Sequence, residues 1–319
     1  MVRILAVLGG ALLSAAAAAQ TFPVKPPKLY VGFVPGGGVD QTARITTAKL
    51  SEVWGSPITV ENRPGAGGTI AADATARSAP DGYTTVLCNI GSHGIGPSLY
   101  KKLGYDALKD VTYIGLIGTT PNVMAVHPSV PANTVAEFIA YAKANPGKIS
   151  YGSSGVGTST HLGVELFRSM AGIDIVHVPY KGGAASSADL AGGQIQLVIT
   201  NLPEQVGYMR SGRTRGLGMS TPKRSPQFPD VPTIAETLPG YEAASWYGLV
   251  APKGTPRDII EKLNEETQKI FSDPAFREKF LAPAMTFSIA SSPEKFGERI
   301  EAELAKWGKV IKDAKVQLE

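Results

Sequence analysis

The chain of 319 residues is 43% hydrophobic and 18% charged, with 36 Gly, 24 Pro and a single Cys. That composition excludes a disordered chain, which would be less apolar and more highly charged, and a collagen, which would keep a strict glycine period. Its 31 Lys and Arg against 27 Asp and Glu leave a net charge of only +4, without a basic stripe interleaved with aromatics, so no nucleic-acid partner is expected. Cys88 stands alone, which excludes an intrachain disulfide and a cysteine metal cluster. This length predicts roughly two domains.

The N-terminus reads as an export signal. Arg3 supplies a short positive start, residues 4–13 an apolar stretch, and Ala17, Ala18 and Ala19 the small residues that signal peptidase requires. A signal peptide over 1–19, cleaved before Gln20, is therefore expected, the competing reading being an uncleaved anchor. The apolar stretch is too short to span a bilayer, and no later window holds eighteen uninterrupted apolar residues. No Cys follows it that could carry a lipid. The expected location is the periplasm.

The remaining sequence alternates β-rich runs with helical patterns, the signature of βαβ units. Residues 29–34 predict a buried strand that runs into Pro35-Gly36-Gly37-Gly38-Val39-Asp40 and then a helix. Residues 58–60 and 83–88 predict further strands, separated by a helix over 69–77 and followed by the turn Gly91-Ser92-His93-Gly94. A second series begins after an apolar stretch at 111–126. Thr134 and Glu137 form a capping-box pattern, residues 149–152 a strand, and Ser153-Ser154-Gly155-Val156-Gly157-Thr158-Ser159 leads into a helix. Strands at 175–178, 195–200 and 215–220 follow, with a helix near 184–191. Residues 244–252 read as a strand returning to the first unit. After it come a helix opened by Thr255-Pro256 and a terminal helix in which Phe296, Ile300, Leu304, Trp307 and Ile311 recur every three or four residues, behind a Ser291/Glu294 capping box. The expected architecture is α/β with two lobes: 20–122 and 245–319 form lobe one, 123–244 lobe two, and two crossing segments make a hinge.

The loops at 35–40 and 153–159 carry the chemistry. Each joins the carboxyl end of a strand to a helix start, where backbone N–H groups lack intrahelical partners and the dipole is positive. Glycine allows a ligand close to the main chain, and Ser and Thr hydroxyls add donors. Two such loops on facing lobes make an anion site. A nucleotide is disfavoured: Gly36-Gly37-Gly38-Val39-Asp40-Gln41 lacks the third glycine of the dinucleotide fingerprint, no Walker sequence occurs, and Asp40 would repel a polyphosphate. A small carboxylate suits the loops better. An enzyme has little local support. Ser154 fails the nucleophile-elbow pattern because Val156 stands where the second glycine belongs, and His93, His127, His161 and His177 show no metal-ligand spacing. A serine hydrolase built from Ser154, a histidine and Asp40 remains the alternative. No catalytic residue, metal or cofactor is expected.

Several segments then resemble a known family. They are residues 33–40 (FVPGGGVD), 61–68 (ENRPGAGG), 80–84 (PDGYT), 151–158 (YGSSGVGT), 178–183 (VPYKGG), 230–233 (DVPT) and 246–256 (WYGLVAPKGTP). In this order they are similar to the Bug family of periplasmic solute receptors, the substrate-binding components of tripartite tricarboxylate transporters. The resemblance implies a type II Venus-flytrap fold that captures a small organic carboxylate, often through ordered water, and delivers it to transporter membrane subunits as a monomer. A sensory receptor handing its liganded form to a signalling partner is the other function class.

The resemblance also implies a ligand-binding set. Pro35, Gly36, Gly37 and Asp40 would bind the carboxylate partly through water, with Gly91, Ser92 and His93 beside them. From lobe two, Ser153, Ser154, Gly157, Thr158 and His161 would surround it, and Lys181 and Gly182 would border the cleft; Thr200, Asn201 and Tyr247 complete the set. Thr200 departs from the family pattern, which places Asp before Asn201, and this departure argues against an amino-bearing ligand. Each residue also has a bland reading. Asp40 could cap its helix or pair with Arg44, His93 and His161 could be satisfied histidines, Lys181 could be solvated, and Trp246 and Tyr247 could pack the hinge. His127 and His177 read as structural or exposed.

Overall fold

A computed structural model describes residues 22–225, 227–282, 287–288, 290–313 and 316. The expected signal peptide at 1–19 lies outside the described residues.

The first unit opens with β1 (Lys28–Val31), α1 (Gly38–Trp54), β2 (Thr59–Asn62), α2 (Thr69–Ala76) and β3 (Thr84–Asn89). The turn expected after β3 is instead a wide, π-type helical turn, Gly91–Ile95, that continues into α3 (Gly96–Leu99). The apolar stretch at 111–126 divides into β4 (Val111–Thr120) and β5 (Asn122–Val126) at Pro121. Proline lacks an N–H and cannot continue a ladder. The chain changes sheets at that residue, because β4 pairs with β10 (Ser245–Pro252) whereas β5 pairs with β8 (Leu197–Asn201) and β9 (Arg215–Met219). Between β5 and β10 lie α4 (Val135–Ala144), β6 (Ser150–Ser153), α5 (Ser159–Ala171), β7 (Val176–Pro179), α6 (Gly183–Ala191) and α7 (Leu202–Arg210). The chain ends with α8 (Arg257–Ser272), α9 (Pro274–Phe276), β11 (Phe287–Ser288) and α10 (Pro293–Asp313).

Two sheets result. One has the order β11-β4-β10-β3-β1-β2, the other β7-β6-β8-β5-β9. In each, parallel strands carry the βαβ crossovers and one antiparallel strand brings the chain across from the other lobe: β10 beside β3, and β5 beside β8. The parallel strands point their carboxyl ends, and therefore their helix starts, toward the gap between the sheets.

Helical spacing identified the packing faces correctly. Ile260, Leu263, Ile270 and Phe271 of α8 bury against Leu29, Leu87 and Ile114 of the first sheet. On α10, Phe296, Ile300, Trp307 and Ile311 join a second core that extends to Leu162 and Phe167 of α5. Each such side chain contributes roughly 1.5–3 kcal/mol through burial. The terminal helix also reaches the returning segment, where Lys306 Nζ donates to Glu242 O at 2.8 Å. Its cap is Ser292, whose Oγ accepts the Lys295 N–H at 3.4 Å. Ser291, expected in that role, instead accepts the Leu116 N–H at 3.2 Å, because the neighbouring strand needs an acceptor there.

The crossing segments are bonded to one another through Asn122. Its backbone N–H donates to Ser220 Oγ at 3.0 Å, and its Nδ2 donates to Ala243 O at 2.7 Å on the return segment. Ser245 Oγ donates to Asn122 Oδ1 at 3.3 Å. Asn122 is fully buried, so no water replaces these partners. Asn122→Ala leaves the buried Ala243 carbonyl without its side-chain donor, and urea denaturation should show a loss of about 1–3 kcal/mol; an unchanged midpoint would contradict this account of the crossing.

Candidate functional site

The lobe-two wall of the cleft is built on the β6–α5 connection. β6 ends at Ser153, and Thr158 is the N-cap of α5: its Oγ1 accepts the His161 N–H at 3.4 Å and donates to Gly155 O at 2.7 Å. The Ser154 N–H donates to Thr160 Oγ1 at 2.8 Å, which closes the loop on itself. Two donors stay open. The Ser159 and Thr160 amides, the first two of the helix, have no partner among the described residues. Beside them Ser154 Oγ is buried without a hydrogen bond, and Ser154, Thr158, Ser159 and Thr160 all line the cleft. Dipole, open amides and an unpartnered hydroxyl thus belong to residues that line the same cavity.

Ser153, Gly157 and His161 were expected to touch the ligand, and the structure places them behind this wall. Ser153 Oγ is 2.7 Å from His177 Nε2 and accepts the Gly155 N–H at 3.2 Å. His161 Nδ1 accepts the Gly157 N–H at 3.3 Å, and its ring stacks on His177 at 4.2 Å, which stacks on Tyr151 at 4.8 Å. Burial, helped by the adjacent His177, pushes the His161 pKa down to about 3, and burial lowers that of His177 to about 4. Both rings are neutral supports for the loop. Gly157 packs against lobe one, where a Cβ would come within 3.0 Å of Leu99 and Tyr100.

The first-lobe wall also differs from expectation. Asp40 is 2% exposed, and its carboxylate accepts the Gly36 N–H at 2.9 Å, Arg44 Nε at 2.8 Å and Asn62 Nδ2 at 2.8 Å. Burial alone would raise its pKa, but the Arg44, Gly36 and Asn62 hydrogen bonds outweigh that and hold it below the usual carboxylate range. Asp40 thus fits the bland reading as the partner of Arg44, and it does not cap its helix. It uses up the Gly36 amide, and Pro35 lies outside the cleft; Gly36 and Gly37 still line it. Asn89 Oδ1 accepts the Gly91 and Ser92 amides at 2.6 and 3.2 Å, so these donors are also spent. His93 is fully buried beside Tyr105, where burial pushes its pKa down to about 3. Gly91, Ser92 and His93 are buried ahead of α3 and are not among the residues lining the cleft.

Lys181, Gly182, Asn201 and Tyr247 line the base of the cleft. Thr200 is fully buried and turns away, donating from Oγ1 to Glu204 Oε2 at 2.6 Å. Besides Ser159 and Thr160, two polar lining residues absent from the expected set stand out. Ser245, at the start of β10, has its Oγ 2.8 Å from Ser159 Oγ of lobe two and donates to Asn201 Oδ1 at 2.9 Å. Glu204, in the first turn of α7, brings a carboxyl group into the cleft. Its position four residues beyond Thr200, within reach of that side chain across the strand-to-helix turn, was the available signal. The argument from the missing acid at position 200 is therefore corrected, since Glu204 supplies one beside it.

Comparison with known proteins agrees with this architecture. The family model described as Tripartite tricarboxylate transporter family receptor matches residues 42–316. The chain belongs to this family. Protein BugT of Bordetella pertussis is 36% identical over 324 residues, covering 100% of this chain and 99% of BugT. An R. palustris protein solved with adipate superposes with a TM-score of 0.88 at 38% identity, covering 93% of this chain and 99% of that one. MatC from Rhodopseudomonas palustris, solved with bound malate, superposes with a TM-score of 0.83 at 30% identity, covering 91% of this chain and 100% of that one. The two sheets with their flanking helices are thus the periplasmic-binding-protein fold. No helix among the described residues is long and apolar enough to cross a membrane.

The buried histidines of this receptor set a pH dependence. His93, His161 and His177 are held neutral with lowered pKa values, whereas the unfolded chain protonates near pH 6.5. Between that pH and about 4 the unfolded state binds more protons, so stability falls on acidification. The raised pKa of Glu204 acts in the opposite direction. Thermal melts should show a lower Tm at pH 5 than at pH 7, with a smaller drop for His177→Gln; an equal drop in both proteins contradicts the assignment.

Proposed function

We propose that the chain is a periplasmic receptor that closes as a monomer around a small organic carboxylate and delivers it to the membrane subunits of a tripartite tricarboxylate transporter, with the two crossing segments as its hinge. The observation that carries the proposal is the start of α5, where the Ser159 and Thr160 amides and the buried Ser154 hydroxyl face the cleft without partners. A carboxylate accepts from such donors and gains from the helix dipole. Lys181 adds a positive charge at the cleft edge. The adipate and malate held by the two R. palustris relatives point to the same ligand class.

Magnitudes assign the parts of the ligand. Charge-assisted hydrogen bonds contribute about 1.5–3 kcal/mol each, against an association cost of about 4–15 kcal/mol. The carboxylate therefore supplies orientation and part of the affinity, and the body of the ligand, against Phe33, Val34 and Tyr247, supplies the rest. A hydrolase reading finds no support in the geometry. Ser154 Oγ has no hydrogen bond to a histidine; of the serines that do, Ser153 and Ser92 are buried and off the cleft lining, and Ser129 bonds His127 on the exposed surface.

Thermal melts with a panel of mono- and dicarboxylates, including aromatic acids, test the proposal. A bound acid at one hundred times its Kd should stabilise by about 2.7 kcal/mol. Ser154→Ala should weaken binding of that acid about tenfold, at unchanged stability of the free protein. Stabilisation by sugars and by no carboxylate would overturn the proposal.

A further inference from the structure

The donors of the α5 start account for one end of a ligand; the base of the cleft holds chemistry of the opposite kind. Glu204 projects from the first turn of α7 and lines the cavity that contains Ser154, Thr160, Lys181 and Gly182. It also lines the adjoining cavity with Gln41 and Gly37. Its position is built. Thr200 Oγ1 donates to its Oε2 at 2.6 Å, and Asn201 adds hydrogen bonds from side chain and backbone. Gly183, the first residue of α6, makes room for it, since a Cβ there would overlap the carboxyl group. All of these protein contacts are donors to Glu204, which is the pattern of an acceptor carboxylate. No Lys, Arg or His forms an ion pair with it among the described residues. A carboxylate removed from water without a cation is costly, and burial accordingly raises its pKa.

We infer that Glu204 is a specificity-determining residue that receives a cationic amino group of the ligand, so that this receptor selects amino-bearing monocarboxylates over dicarboxylates of the same skeleton. The inference rests on the carboxylate-receptor function proposed above. An ammonium group supplies the charge that the cleft withholds from Glu204, with the ligand carboxylate on the α5 start. A second carboxylate in that place would meet Glu204 as a like charge and be rejected. Thr200 serves here as the hydrogen-bond donor that holds Glu204 at the cleft base.

Matched pairs that exchange one carboxylate for an alkylammonium on the same skeleton provide the test: γ-aminobutyrate against glutarate, δ-aminovalerate against adipate, and para-(aminomethyl)benzoate against para-(carboxymethyl)benzoate. Calorimetric titration of the wild-type protein should give at least one pair in which the amino compound binds tighter by about tenfold or more. Glu204→Gln keeps an acceptor for Thr200 and should abolish or invert that preference. A structural role alone would change both members of a pair equally. If carboxylates raise the Tm but no pair shows a preference for the amine, or if the dicarboxylate binds tighter to wild type, this inference fails while the receptor function stands. If no carboxylate of either kind binds, both fail. Because the wild-type preference is itself decisive, a poorly folding variant does not rescue the inference.

Discussion

The chain must leave one sheet and return to it, and the polar groups of the two passing segments must be satisfied where neither sheet covers them. Asn122, Ser220 and Ser245 do this with one another. Ser245 then continues outward, to Asn201 and to Ser159, the first residue of α5. The same hydroxyl therefore joins the crossing to both the base and the wall of the cleft. A change in angle between the lobes has to rearrange bonds that also shape the binding surface, which is the physical coupling a closing receptor requires. The lobes meet again where the Gly67, Gly91 and Gly157 backbones approach, a place where a side chain at Gly67 or Gly91 would collide with main chain.

The electrostatics of the cleft are organised by what is withheld from it. Asp40, the acid nearest the first helix start, is occupied by Gly36, Arg44 and Asn62, and its charge is spent on holding the loop. The histidines are neutral and lie behind the walls. Positive character comes from open amides at the α5 start and from Lys181, and negative character from Glu204. Amides fixed by a helix cost no reorganisation when an anion arrives, whereas a lysine must give up solvent and rotamer freedom. The split between an amide-rich wall and an acidic base gives the cleft a direction.

Much of the site was legible because loop chemistry is local. The glycines and hydroxyls at 153–159 imply a strand-to-helix turn with unpaired donors wherever the rest of the chain goes, and the β6–α5 connection carries them. Residue type alone did not decide which side chains face the gap. Asp40 and His161 occupy the right loops but are engaged by amides of those loops, Gly36 in one case and the buried Gly157 in the other. Ser245 and Glu204 went unnoticed for the converse reason. Neither lies in a glycine-rich segment, and each reaches the cleft only because β10 and α7 are set beside it by pairings distant in sequence.

The sequence by itself determined the α/β alternation, the amphipathic faces of α8 and α10, the glycine-rich strand-to-helix loops and membership in a receptor family, since these depend on periodicity, capping and short motifs read over a few residues. Tertiary structure alone decided that Pro121 is where the chain changes sheets, which donors remain open after the loops satisfy themselves, and that an acid stands at the base of the cleft. Those outcomes depend on competition among hydrogen-bonding groups from separate segments, and such a competition is settled only when packing brings all the claimants together.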